Sequence, residues 1–158
     1  MSEQDIYIAI DYGIKRVGFA IYHAETKFVF PLCTLDRNVK KTFFENLTIL
    51  IEKHKPTALI IGLPLHEDGS PCITTSQVKN FANSLLRRYP IPIYFMEELL
   101  SSFDAEQDMR AIGVSAKKIK KNVDQEAAVK ILESFLDCPQ KLPYTPEKNI
   151  FYSTSNKE

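Results

Sequence analysis

The sequence predicts one α/β domain built on a mixed five-stranded sheet, three antiparallel strands followed by parallel crossovers, with helices on both faces. Three observations carry this expectation. Ile6–Ile10 and Ala58–Ile61 are almost unbroken apolar runs rich in β-branched residues, as in strands buried on both faces. The connections between Tyr12 and Leu35 are too short to join anything but antiparallel neighbours. After Asn38, segments of helical period alternate with short apolar runs, the order in which crossovers return a chain to a parallel strand.

The elements follow in order. The first strand ends at Asp11, before a Tyr12-Gly13 turn. Val17 to Tyr22 reads as the second strand and Lys27 to Leu35 as the third, with His23 to Thr26 as the reversal. Val39, Phe43, Phe44, Leu47, Leu50 and Ile51 recur at helical spacing, with Asp36 or Asn38 as the cap and an end near His54 that Pro56 enforces. The run Ala58–Ile61 then belongs beside the first strand. A helix from about Thr74 to Tyr89 carries the apolar stripe Val78, Phe81, Ala82, Leu85 and Leu86. Ile93 to Met96 is the fifth strand, ending in Glu97-Glu98. Ser101-x-x-Asp104 offers a capping box for a further helix that Gly113 stops. Val114 to Lys121 reads as a mobile basic loop, and the last helix spans about Asn122 to Leu136. Residues 139–158 lose periodicity and form a polar tail that contributes little to the core, with Tyr144, Ile150, Phe151 and Tyr152 as the groups able to dock.

Composition narrows the function. At 158 residues the chain has room for one core, and 20 Lys+Arg against 20 Asp+Glu leave a net charge of +0, so a polyanion site must be local. Three cysteines, far apart and without a C-x-x-C pair, argue against a disulfide framework and structural zinc. The three histidines are equally scattered. With no signal-peptide pattern at the N-terminus and no apolar run long enough to span a bilayer, the expectation is a cytoplasmic protein without membrane contact.

Acids at element ends carry the chemistry. Asp11 closes the central strand, Glu98 the fifth, and Asp124 lies at the start of the last helix, where it competes with a helix-capping role that Asn122 and Gln125 can fill instead. Three such carboxylates at roughly 4 Å repel by about 4 kcal/mol per pair at an effective dielectric of 20, so a convergent cluster needs cations. Hard oxygens without His or Cys select Mg²⁺ or Mn²⁺. Lys15 and Arg16 stand beside Asp11, and Lys117, Lys118, Lys120 and Lys121 precede Asp124; both groups are candidates for substrate backbone contact.

Asp11-x-Gly13-x-Lys15-Arg16-x-Gly18-x-Ala20 resembles the opening motif of the YqgF family, also called RuvX, whose members have an RNase H-like fold and are described as Holliday-junction resolvase-like proteins or pre-16S rRNA nucleases. Gly62-Leu63-Pro64, Asp68-Gly69-Ser70 and Val123-Asp124-x-x-Ala127-Ala128 are similar to later family motifs. The resemblance implies an RNase H-like nuclease domain over residues 1–138, with Asp11, Glu98 and Asp124 as both catalytic acids and metal ligands. It also implies nucleic acid as partner, precursor rRNA or branched DNA, and ribosomal particles. One motif departs. Where the family reads D-E-R-x-[ST]-[ST], this chain has Glu97-Glu98-Leu99-Leu100-Ser101-Ser102, which keeps the catalytic Glu and replaces the following Arg by Leu99.

Two alternatives stand beside the nuclease. The Asp11 to Gly18 stretch also resembles the first phosphate loop of actin-like ATPases and sugar kinases, which need two such domains where this chain has room for one. A non-catalytic nucleic-acid or ribosome-binding module that keeps the fold is the other; the loss of Arg at Leu99 favours it and retention of the three acids disfavours it.

Overall fold

In the computed structural model of the protein, residues 2–99, 116–138 and 141–146 are described, with the backbone alone for 116–123. The strands are β1 (Ile6–Tyr12), β2 (Arg16–His23), β3 (Phe28–Asp36), β4 (Ala58–Pro64) and β5 (Ile93–Glu98). The described helices are α1 (Lys40–His54), α2 (Ile73–Arg88) and α3 (Ala116–Asp137). The sheet order is β3-β2-β1-β4-β5, with β1–β2 and β2–β3 antiparallel and β1–β4 and β4–β5 parallel. The five-stranded mixed sheet is therefore as the sequence expects, with β1 at its centre.

Alternation along the strands divides the molecule into two layers. Ile8 and Ile10 of β1, Phe19 and Ile21 of β2, Leu59 and Ile61 of β4 and Ile93 of β5 face α1 and α2, whose Phe43, Leu47, Phe81 and Leu85 complete that core. Ala9, Ala20, Ala58 and Ile60 face the other way, onto Ala128, Ile131, Leu132 and Phe135 of α3. Small residues on this second face let α3 lie close to the sheet. Gln125 Nε2 donates to Thr34 Oγ1 at 3.1 Å, tying α3 to the edge strand.

Three expectations differ from the structure. The N-cap of α1 is Val39, with no side-chain capping bond, so neither Asp36 nor Asn38 fills that place. Residues 116–121 are not a loop: α3 begins at Ala116 and carries Lys117, Lys118, Lys120 and Lys121 in its first turns. No Gly or Pro interrupts this stretch, and Ala and Lys are good helix formers, so the packed part of α3 propagates back through it. Asn122 is consequently inside the helix and does not cap it.

In the tail, one of the groups named as able to dock does so. Tyr144 packs its ring on Phe95 at 4.6 Å, and its hydroxyl donates to Asn83 Oδ1 at 3.0 Å. Its N–H donates to the carbonyl of Ile93 at 2.6 Å. The helix expected between Ser101 and Gly113, and Ile150, Phe151 and Tyr152, lie outside the described residues. Among the described residues no helix is long and apolar enough to cross a membrane.

Candidate active site

The two-residue period of the strands assigns the acids to a face. Asp11 is in phase with Tyr7 and Ala9, and Glu98 is in phase with Tyr94 and Met96, all on the α3 side of the sheet. Glu97 has the opposite phase. Asp11 and Glu98 therefore share the C-terminal end and the α3 face of a sheet in which β4 alone separates their strands.

Glycines make the room. Gly18 is the register partner of Asp11, and a Cβ placed on it would overlap the backbone carbonyl of Asp124. The third acid is thus lowered onto the sheet directly beside the first, because position 18 has no side chain. Gly62 does the same for Glu98: a Cβ there would lie 2.6 Å from Glu98 Oε1 and 2.5 Å from Ile131 Cδ1. Asp124 lies in the third turn of α3, beyond the reach of any capping role.

Electrostatics record the convergence. Burial raises the Asp11 carboxyl well above its ordinary range, and the charges of Glu98 and Asp124 raise it further. Burial pushes Glu98 up to about 7. Asp124 is also raised by burial, against the opposing pull of Arg16, whose Nε donates to Asp124 Oδ2 at 3.0 Å. No ion pair to Asp11 or Glu98 occurs among the described residues.

This donor set has the chemistry of a hard divalent-cation site: oxygen ligands only, excess negative charge, and two carboxyls without a countercharge among the described residues. Among the described residues no three His, Cys, Asp or Glu side chains stand already grouped to hold an ion, and Asp124 is engaged by Arg16. The residues fit such an ion in kind, and ligation would draw the three carboxylates closer together.

Lys15 and Arg16 lie beside Asp124 in a small hollow completed by Gly13 and Ile14. The backbone places Lys117, Lys118, Lys120 and Lys121 on the turns of α3 that precede Asp124. Arg37, which the sequence reading missed, fixes this corner. Its Nη1 donates to the carbonyls of Gly13 at 2.5 Å and Ile14 at 2.8 Å, and its backbone N–H donates to that of Lys15 at 2.9 Å. Nothing in the sequence around Arg37 signals this, because its partners lie more than 20 residues away. Leu99, in the place of the expected Arg, is 53% exposed at the end of β5.

Comparison with known proteins adds the following. A family model described as RuvX, Holliday junction resolvase, matches residues 5–138. A Nitratidesulfovibrio vulgaris (Miyazaki F) protein named as a candidate pre-16S rRNA nuclease is 43% identical over 134 residues, covering 85% of this chain and 94% of the relative. A Lawsonia intracellularis protein of the same name is 42% identical over 131 residues, covering 83% and 92%. Among solved structures, Thermus thermophilus RuvC in complex with a Holliday junction substrate aligns with a TM-score of 0.56 at 12% identity, over 89% of this chain and all of that one. That likeness concerns the RNase H-like fold alone.

Proposed function

The chain belongs to the RuvX family of Holliday junction resolvases, and from that premise we propose that it is a divalent-metal-dependent nuclease hydrolysing phosphodiesters in structured nucleic acid. The substrate we assign is the precursor end of 16S rRNA, since relatives more than 40% identical carry that name. A four-way DNA junction is the second candidate, from the family's description. The observation that carries the reading is that Asp11, Glu98 and Asp124, from three separate elements, stand at one end of the α3 face, where burial first and then the charges of the other two raise the Asp11 carboxyl.

Each residue has a physical part. Asp11, Glu98 and Asp124 would hold Mg²⁺ or Mn²⁺, which when bound activates water and offsets charge on the phosphoryl oxygens. Asp11 is carried by the central strand, so the backbone that presents its carboxylate is fixed before the scissile phosphate arrives. Arg16 supplies the missing countercharge at Asp124 and uses one N–H to do so. Its remaining donors suit a phosphate oxygen. Lys15 and the lysines at 117, 118, 120 and 121 are assigned to the flanking backbone.

The test compares an RNA carrying the 16S precursor end with a four-way DNA junction, each incubated with Mg²⁺, Mn²⁺ or EDTA. Metal-dependent cleavage of the RNA supports the full reading, and preferential cleavage of the junction would reassign the substrate. Binding without cleavage of either would replace the enzyme by a non-catalytic module.

A further inference from the structure

On the sheet face opposite the three acids, the N-terminal half of α1 and the α2 stretch from Gln77 to Arg87 enclose a cleft of ≈ 600 Å³. Three cations, Arg37, Lys40 and Arg87, line it, and no carboxylate among the described residues does. In a chain with a formal net charge of +0, that is a local excess of positive charge. Phe43, Phe44 and Phe81 form the apolar floor. Gln77, Asn80 and Ser84 add amide and hydroxyl groups from one stripe of α2, at the spacing that places residues on a single helix face.

One cation is already fixed. The Phe81 and Tyr12 rings stack at 4.1 Å, and the Arg37 guanidinium lies 4.1 Å over the Tyr12 ring. Beside the cleft, Lys40 and Phe44 are shared with an adjoining hollow, where Arg88 lies 3.7 Å over the Phe44 ring. Positively charged groups, hydrogen-bonding groups and an apolar floor match the three parts of a nucleotide: phosphate, base edge and base face.

The cleft and the acids are on opposite faces, but the β1–β2 turn joins them around the end of the sheet. Ile14, 75% exposed at that turn, lines both this cleft and the small hollow against Asp124. We propose that the cleft is a subsite for a flanking nucleotide of the cleaved strand, which passes over the β1–β2 turn and places a phosphate among Arg37, Lys40 and Arg87. This inference rests on the nuclease reading for the strand's path and not for the cleft's chemistry.

The test is a titration of fluorescein-labelled single-stranded RNA and DNA dodecamers of one sequence, in EDTA so that nothing is cleaved, against the full chain and two double variants. Lys40→Gln with Arg87→Gln removes two exposed cations of the cleft. Lys53→Gln with Lys79→Gln removes the same charge from positions that do not line it. The cleft variant is expected to bind roughly tenfold more weakly, with a log–log salt slope shallower by about 0.7 for each phosphate of a single strand that is no longer neutralised. The control variant and the thermal melt stay at wild-type values. Equal weakening on RNA and DNA assigns the subsite to phosphate and base, and weakening confined to RNA assigns it to ribonucleotides. Wild-type affinity and slope in the cleft variant, or the same weakening in the control, overturn the proposal. Cleavage by the wild type together with unaltered binding by the cleft variant would refute the subsite alone. A shallower slope in the cleft variant of a protein that cuts nothing would refute the nuclease alone.

Discussion

Arg16 donates from Nε to Asp124 Oδ2 at 3.0 Å, joining the start of β2 to the third turn of α3 across 108 positions of sequence. The contact does two things: it closes the last helix onto the sheet, and it gives one of three crowded carboxylates a countercharge while the other two have none among the described residues. Arg16→Ala should cost about 1 kcal/mol in a denaturant melt, a modest value because the pair is partly exposed. It should also let the Asp124 carboxyl rise further, since Arg16 is what lowers it. Arg16→Lys keeps the charge and loses the fork, so it should recover part of the stability. Equal melts for all three proteins would show that the pair holds nothing together.

Close approach at Gly18 gives a second expectation. Gly18→Ala would force a Cβ into the Asp124 backbone, whereas Gly69→Ala meets nothing within 4 Å and suffers only from a φ of +85°. The first should destabilise by about 3 kcal/mol or more, the second by about 1–2 kcal/mol. Reversal of that order in thermal melts would mean that α3 does not rest on position 18.

The raised carboxyls make stability depend on pH. Glu98 titrates at about 7 in the folded protein, against an ordinary 4.5. The folded state thus keeps a proton that the unfolded chain releases, so this contribution is whole below about 4.5 and lost as pH rises through about 7. At about 1.4 kcal/mol per unit, the loss is at most about 3 kcal/mol. Asp11 acts in the same direction. Metal-free protein should therefore melt lower at pH 8 than at pH 5.5, with a smaller drop in Glu98→Gln, and Mg²⁺ should raise the melt more at pH 8. A Glu98→Gln variant with the wild-type pH slope would dissociate Glu98 from this effect.

Leu99 offers a gain-of-function test. The residue is 53% exposed, so an Arg there has water available and no core to disturb. Leu99→Arg should keep the wild-type melt and bind nucleic acid more tightly, by about 1.5 kcal/mol for one charge-assisted hydrogen bond. Unchanged affinity would indicate that no phosphate passes that point.

Much of this was legible in the sequence, for reasons that particular residues make plain. Ile6–Ile10 and Ala58–Ile61 declare central strands because both of their faces are buried, and the motif resemblance singles out Glu98 over Glu97, a choice that the strand parity of β5 matches. What stayed hidden was long-range or locally ambiguous. Arg37 holds a turn more than 20 residues away, and the groove between β5 and α2 on which Tyr144 docks is formed by residues distant in sequence. The four lysines between 117 and 121 suggested a loop because charge masks a helix, although Ala and Lys favour one. Their being helical removed the capping alternative for Asp124 and left it to the site.

The most direct measurement is cleavage of the 16S precursor-end RNA by wild type and by Asp11→Asn, with Mg²⁺ or Mn²⁺ and with EDTA, alongside a thermal melt of each protein. Asn keeps the size of the side chain and removes a carboxyl that its neighbours already disfavour in charged form. The account predicts metal-dependent cutting by the wild type, a loss of orders of magnitude in the variant, and a melt unchanged or higher at pH 8. Cleavage by Asp11→Asn at the wild-type rate, or undiminished cleavage in EDTA, would contradict it.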